Sequence, residues 1–288
     1  MNTKKPIHLL CSALLVSAGL VSAVSAAPIA LPGGPVVINF NNHEQISASN
    51  SIVAPSGAKE GNWGIFTVNT IYKGGAIPAT QLFGTSGPPI FADSLSGQIT
   101  GIFWGIRTIT PGCPTCFDAA GGHLDLWWDN PSAVGGTFAD LGIATPAQRT
   151  GDSTFTNFTD GTFLARVDFA SGIDPTNSSV DIRGSVVPAA GGFVGVADSF
   201  ANVDLTAGGA WATALDTNFF NTAFGQRDIR FHNGYNDFIP WLGPTGTDVL
   251  GAVSSDPARA FAVPEPGSLA LIGLALAGLG FMRRRWGT

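Results

Sequence analysis

His123, Asp125, Trp127 and Asp129 occupy alternate positions in a stretch that reads as a strand, and Asn130 follows directly. Successive side chains of a strand point to opposite faces, so these four share one face and Leu124, Leu126 and Trp128 share the other. An aromatic ring flanked by carboxylates, an imidazole and an amide can stack on the C–H face of a sugar while the polar groups bond its hydroxyls. The same pattern also describes the solvent face of an edge strand with one Trp packed under a loop. His123, Asp125, Trp127, Asp129 and Asn130 are thus a candidate glycan-binding face.

Cys113-Pro-Thr-Cys116 has the spacing of a redox-active pair, but a glycine-ended loop follows it rather than a helix, and no second pair completes a zinc ribbon. A structural disulfide between Cys113 and Cys116, bracing a hairpin loop in an oxidising compartment, is expected, with metal binding and redox work as alternatives. Asp228, Arg230 and His232 alternate on a strand and read as a solvated charged ladder rather than an acid and a base. Asp152, Asp160, Asp168, Asp174 and Asp181 are spaced as turn starters and form no Asp-x-Asp-x-Asp-Gly calcium loop. No nucleophile elbow, His-Glu-x-x-His pair, phosphate loop or dinucleotide fingerprint occurs. No catalytic residues, no cofactor and no metal are therefore expected, and the protein is not expected to be an enzyme.

These residues need strands to position them, and the composition supplies strands. The chain has 38 Gly, 20 Phe and only 12% charged residues, which suits short twisted strands joined by tight turns. Val36 to Asn41 reads as a first strand, followed by a polar linker through Ser56. Trp63 to Ile71 and Gly97 to Thr110 carry apolar residues on both faces, so both need cover on two sides. In Gly161 to Phe169, Phe163, Ala165, Val167 and Phe169 share one face, opposite Thr162, Arg166 and Asp168. The helix-like patches, Pro146 to Arg149 and Ala212 to Phe220, are too short to cover a sheet. The expected fold is all-β, a β-sandwich of jelly-roll type.

The two ends of the chain carry addresses. Lys4 and Lys5 precede an apolar run from Leu9 to about Val21, and Val24-Ser25-Ala26 offers a cleavage site, so residues 1–26 read as a signal peptide. Leu10 before Cys11 is a poor lipobox residue, so a lipid anchor there is not expected. At the other end, Pro264-Glu265-Pro266 precedes an apolar run from Leu269 to Met282, closed by Arg283-Arg284-Arg285. As a helix the run rises about 20 Å, a marginal span that tilt and snorkelling can accommodate. The arginines after it place the tail in the cytoplasm and the body outside.

Tripeptide, helix and basic stop in this order resemble the PEP-CTERM sorting tail. The resemblance implies that exosortase processes the chain, with Pro264, Glu265, Pro266 and Arg283, Arg284 and Arg285 as the sorting motif and residues 268–285 lying transiently in the inner membrane. It divides the chain into a signal (1–26), a β-sandwich body (27–258) and a sorting tail (259–288) with a single transmembrane helix. Setting aside Lys4, Lys5, Arg283, Arg284, Arg285 and Glu265 from the 14 basic and 20 acidic residues leaves a body of net charge about −10, so nucleic acid is not an expected partner.

Trp63-Gly-Ile-Phe, the run from Leu95 to Ile106 and Leu215-Asp-Thr-Asn218 resemble bodies of PEP-CTERM proteins associated with flocculation and exopolysaccharide. This resemblance implies a non-catalytic protein of the cell surface or extracellular matrix that supports biofilm, floc or exopolysaccharide-associated aggregation. The alternative is a carbohydrate-binding module for an exopolysaccharide.

Overall fold

The computed structural model describes residues 29–75, 85–93, 97–109, 116–130, 137–189, 192–237 and 241–262. Strand β1 (Gly34–Ser47) sets the pattern. Its even positions, Val36, Ile38 and Phe40 and then Asn42 and Glu44, are all buried on one side. That side turns out to be the inside of a barrel.

The wall follows chain order. After β1 come β2 (Asn62–Gly74), then β3 (Thr85–Ala92) continued by β4 (Gln98–Ile109), then β5 (Cys116–Ala120) continued by β6 (His123–Asp129). A fifth stave is made of β7 (Thr162–Ala170) and β8 (Ile182–Ala189), and β9 (Gly192–Val203), β10 (Ile229–Asp237) and β11 (Val249–Ala262) complete the round. Each neighbouring pair is antiparallel, and β11 returns to β1 in unbroken register from Gly34↔Ala262 to Ser47↔Val249. The result is a closed eight-stave meander; among the described residues only β3, which pairs with β2 alone, leaves one side without a strand partner.

A barrel replaces the expected β-sandwich, and the reason lies in the two-sided strands. Trp63, Ile65 and Ile102 do need outer cover, but excursions of the chain provide it: Ala139, Ala144, Phe155, Phe158 and Trp241 pack on them. Their other faces, Phe66, Val68, Ile99 and Phe103, converge on the lumen instead of on a second sheet. Gly101 makes this closeness possible, since a Cβ there would lie 2.0 Å from the Asp125 carbonyl and 2.4 Å from the Phe66 ring. A second patch, Val37 and Phe200 with Phe220, is covered by the loop that follows β9.

Other expectations shift for local reasons. The first strand runs on to Ser47, through residues expected to be linker. The bulge between Phe163 and Ala165 turns Phe163 to the outer wall, away from Ala165 and Val167. A bulge near Gly105 (φ 74°) lets both Phe103 and Ile106 face inward. The patch from Ala212 is one helical turn, α1 (Ala212–Leu215), before the chain re-enters strand at Phe220.

The α1 segment closes one end of the barrel. Trp211, fully buried, donates its backbone N–H to the Leu164 carbonyl (2.7 Å) and its ring N–H to the Ile29 carbonyl (2.8 Å). Leu215 and Leu31 lie in the same apolar cluster as Val36, Ala260 and Ile229. Both the beginning of β1 and the end of β11 sit at this plugged end.

The expected signal peptide (1–26), the expected transmembrane helix (268–285) and Cys113 lie outside the described residues. The Cys116 side chain does too, so the expected disulfide is not described. Among the described residues no helix is long and apolar enough to cross a membrane.

Candidate functional site

Three places in the molecule bear on function: the outer face of β6, the lumen, and the end of β11. On β6 the alternation holds, and His123, Asp125, Trp127 and Asp129 all lie on the outer wall, beside β4 on one flank and β7 on the other. Their partners were not legible from spacing alone. Arg166 on β7 clamps Asp125 in a fork, Nε to Oδ1 and Nη2 to Oδ2 at 2.7 Å each. The Asp125 side chain is buried, and its oxygens are engaged by this guanidinium. In turn the hydrogen bonds to Asp125 raise the pKa of the Arg166 guanidinium.

His123 is half-exposed, bonds Asp168 through Nδ1 at 2.6 Å and lies 4.4 Å from the Trp104 ring, centroid to centroid. Trp127 is half-buried and leans on Phe163 at 4.9 Å, and its buried ring N–H has no partner among the described residues. Asp129 and Asn130 are half-exposed at the end of the strand. Burial first, and then repulsion from Asp160, pushes the Asp129 carboxyl up from its usual value. The structure therefore brings His123, Trp127, Asp129 and Asn130 to one outer strip and adds Trp104, Phe163 and Asp168 to it, while Asp125 serves the wall.

The remaining candidates are dispersed. Asp228 is buried and accepts the backbone N–H groups of Val203, Thr217 and Asn218, whereas Arg230 and His232 reach Asp198 on the outer wall. Asp152 accepts the Ser56 N–H, Asp181 the Gly121 N–H, and Asp174 pairs with Arg183, which also forks onto Asp118. Among the described residues no three metal-ligating side chains converge. Sequence reading missed the buried pair Arg149–Glu60, in which Arg149 also stacks over Trp63 at 4.4 Å and the Gly105 N–H donates to Glu60. The ionic pairs Arg166–Asp125, Arg183–Asp118 and Arg230–Asp198 sit on the outer wall, where a lipid-facing barrel carries an apolar band.

Inside, the lumen changes character along its length. The plugged half is filled by Val, Ile, Phe and Ala side chains. In the other half Asn42, Glu44, Asn62, Ser199, Asn233 and Ser254 surround a cavity of about 70 Å³. Asn62 donates to a Glu44 carboxylate oxygen at 2.7 Å, and Asn42 Oδ1 accepts both the Ser254 N–H and the Ser254 hydroxyl. Most of the remaining lining is apolar, including Ile46, Phe117, Leu124 and Phe169 beside the rings of Phe40, Phe103, Phe231 and Tyr235. The polar residues of β1 that line it, Asn42 and Glu44, are among those that had read as linker.

The fold and site thus define a closed antiparallel barrel with one end plugged and an outer wall bearing ionic pairs. Residues 262–285 match the PEP-CTERM protein-sorting motif, beginning at the last residue of β11. The motif marks the chain as an exported substrate of exosortase, made as a membrane-anchored precursor that reaches the cell surface. No curated protein matches the chain. One solved structure, Ail, the attachment invasion locus protein of Yersinia pestis in complex with the heparin analogue sucrose octasulfate, aligns with 80% of this chain and 99% of that one. Its 9% identity and TM-score of 0.13 are too low to carry an argument about fold or ligand.

Proposed function

We propose that the barrel is a non-catalytic structural component of the cell surface or extracellular matrix, supporting biofilm, floc or exopolysaccharide-associated aggregation. The observation that supports this reading is the position of the sorting motif, which starts at Ala262 on the plugged end of the barrel. A body sorted by that end presents its outer wall and its opposite end to whatever surrounds the cell. Deleting residues 263–288 in the producing organism tests the reading: cells should lose surface-retained protein and sediment more slowly from suspension. Unchanged aggregation in cells lacking the protein altogether would reject it.

Binding of an exopolysaccharide along the β6 strip is the second reading, supported by Trp127, His123 and Asp168 lying together on the outer wall. Removing a stacking ring should weaken glycan binding by about 1–3 kcal/mol in Trp127→Ala. Because Trp127 leans on Phe163, some loss of thermal stability should accompany it. Equal binding by wild type and a folded Trp127→Ala protein, measured against the organism's own polysaccharide, would remove this reading.

A further inference from the structure

We propose that the polar half of the lumen binds a small primary ammonium compound, a site separate from the surface role above. Eight staves leave an interior that side chains can fill or that can hold one small ligand, and here the two outcomes occur in succession along the same barrel. The cavity of about 70 Å³ exceeds the roughly 10–15 Å³ that one water requires. It is smaller than the roughly 150 Å³ cavity known to take up benzene, so a sugar ring does not fit. A ligand of a few non-hydrogen atoms does.

The chemistry of the lining selects among such ligands. Glu44, when ionised, can only accept, so the Asn62 nitrogen faces it and Asn62 Oδ1 is the atom left over. Asn62 and Asn233 both line this cavity, and the Oδ1 atom of each is buried without a partner among the described residues. Two buried acceptors without donors are costly, and a ligand that brings N–H groups relieves both. Among the described lining residues there is no Lys, Arg or His, and Glu44 is the acidic one, so the sign of the potential favours a cation. Phe40, Phe231 and Tyr235, which also line the cavity, supply aromatic surface for a cation and apolar contact for a short carbon chain. An ammonium group with three N–H donors on one to three carbons meets each of these demands. Among the described residues no three His, Cys, Asp or Glu side chains converge to hold a metal ion.

The test uses the full-length chain purified in detergent, titrated by calorimetry and followed by thermal melting at pH 7 and constant ionic strength. Propylammonium chloride, still protonated at that pH, is compared with 1-propanol, tetramethylammonium and potassium chloride. Propylammonium should bind at least about tenfold more tightly than the neutral alcohol or the donor-free cation, and should raise the melting temperature in proportion to its occupancy. Glu44→Gln, which keeps an oxygen for Asn62, should weaken binding about tenfold or more. Asn233→Leu, which removes a buried acceptor without emptying the site, should do the same and provides the second variant if the first does not fold. Equal affinity for propylammonium and propanol, an equal effect of potassium, no binding at all, or binding indifferent to a folded Asn233→Leu protein would each overturn the proposal.

Discussion

The two halves of the lumen are built from the same strands with the same alternation, yet one is a filled core and the other a cavity in which polar side chains of β1, β10 and β11 face apolar ones of β4 to β8. Along β1 the inward side chains run Val36, Ile38, Phe40, then Asn42 and Glu44, and then Ile46. Along β10 they run Ile229, Phe231 and then Asn233, Tyr235, and along β11, read from its end, Ala262, Ala260, Ala258 and then Ser254. The switch falls at the same level on neighbouring strands because the registers align Phe40 with Val68 and Asn42 with Ser254. Stability of the barrel is therefore expected to depend more on the plugged half, where Trp211 and Leu215 fill the end, than on the half that holds the cavity. Binary patterning sets which face is inward, while the change of residue type along that face sets what the interior is for.

The largest effect that could break this comparison is expected at the plug. Trp211→Ala empties a fully buried site and should lower unfolding free energy by about 3–5 kcal/mol in a denaturant titration. A loss below 1 kcal/mol would mean that the plug does not carry the stability assigned to it. The next test matches two inward positions on β11. Ala260→Asn puts an amide with no partner into the apolar half and should cost about 2–4 kcal/mol, whereas Ser254→Ala leaves Asn42 with the backbone N–H and should cost about 0.5–1.5 kcal/mol. Equal costs would erase the distinction between the halves.

The smallest effect belongs to the mouth of the polar half, where Asp248 ties the end of β1 to the start of β11. Hydrogen bonds, from Ser51 first and then from Ser49 and Ser47, hold its carboxyl well below the usual carboxylate range. A carboxyl depressed in the folded state contributes stability above its unfolded pKa of about 3.9 and loses it as pH falls toward the folded value. Wild type should therefore lose stability over that acid window more steeply than Asp248→Asn, in melting curves taken between about pH 2 and 6. Parallel curves would show that the tie contributes nothing to the mouth.

Much of this was legible in the sequence, but only where neighbours along the chain decide the outcome. The alternation of His123, Asp125, Trp127 and Asp129, the two-sided strands and the sorting tail all follow from local periodicity or a contiguous motif. What decides Asp125 is Arg166, a residue 41 positions away, and no spacing rule pairs them. Barrel closure rests on Gly34 meeting Ala262, and the outer cover rests on Phe155 and Trp241 arriving from excursions. The polar chamber was hidden for a different reason. A strand is recognised by its apolar face, so β1 was read as ending near Asn41, where that face turns polar, although the backbone continues to Ser47.

Because the last strand is paired with the first, the barrel has a mechanical direction. β11 ends at Ala262, with β1 hydrogen-bonded beside it over its full length and β10 on its other side. A pull on the tail would act parallel to these ladders and strain their rungs together in shear, instead of peeling them one at a time. With each rung contributing about 1 kcal/mol net, such loading resists far more force than unzipping does. A body tethered by its C-terminus to a surface swept by flow would be held by the seam best oriented to withstand it.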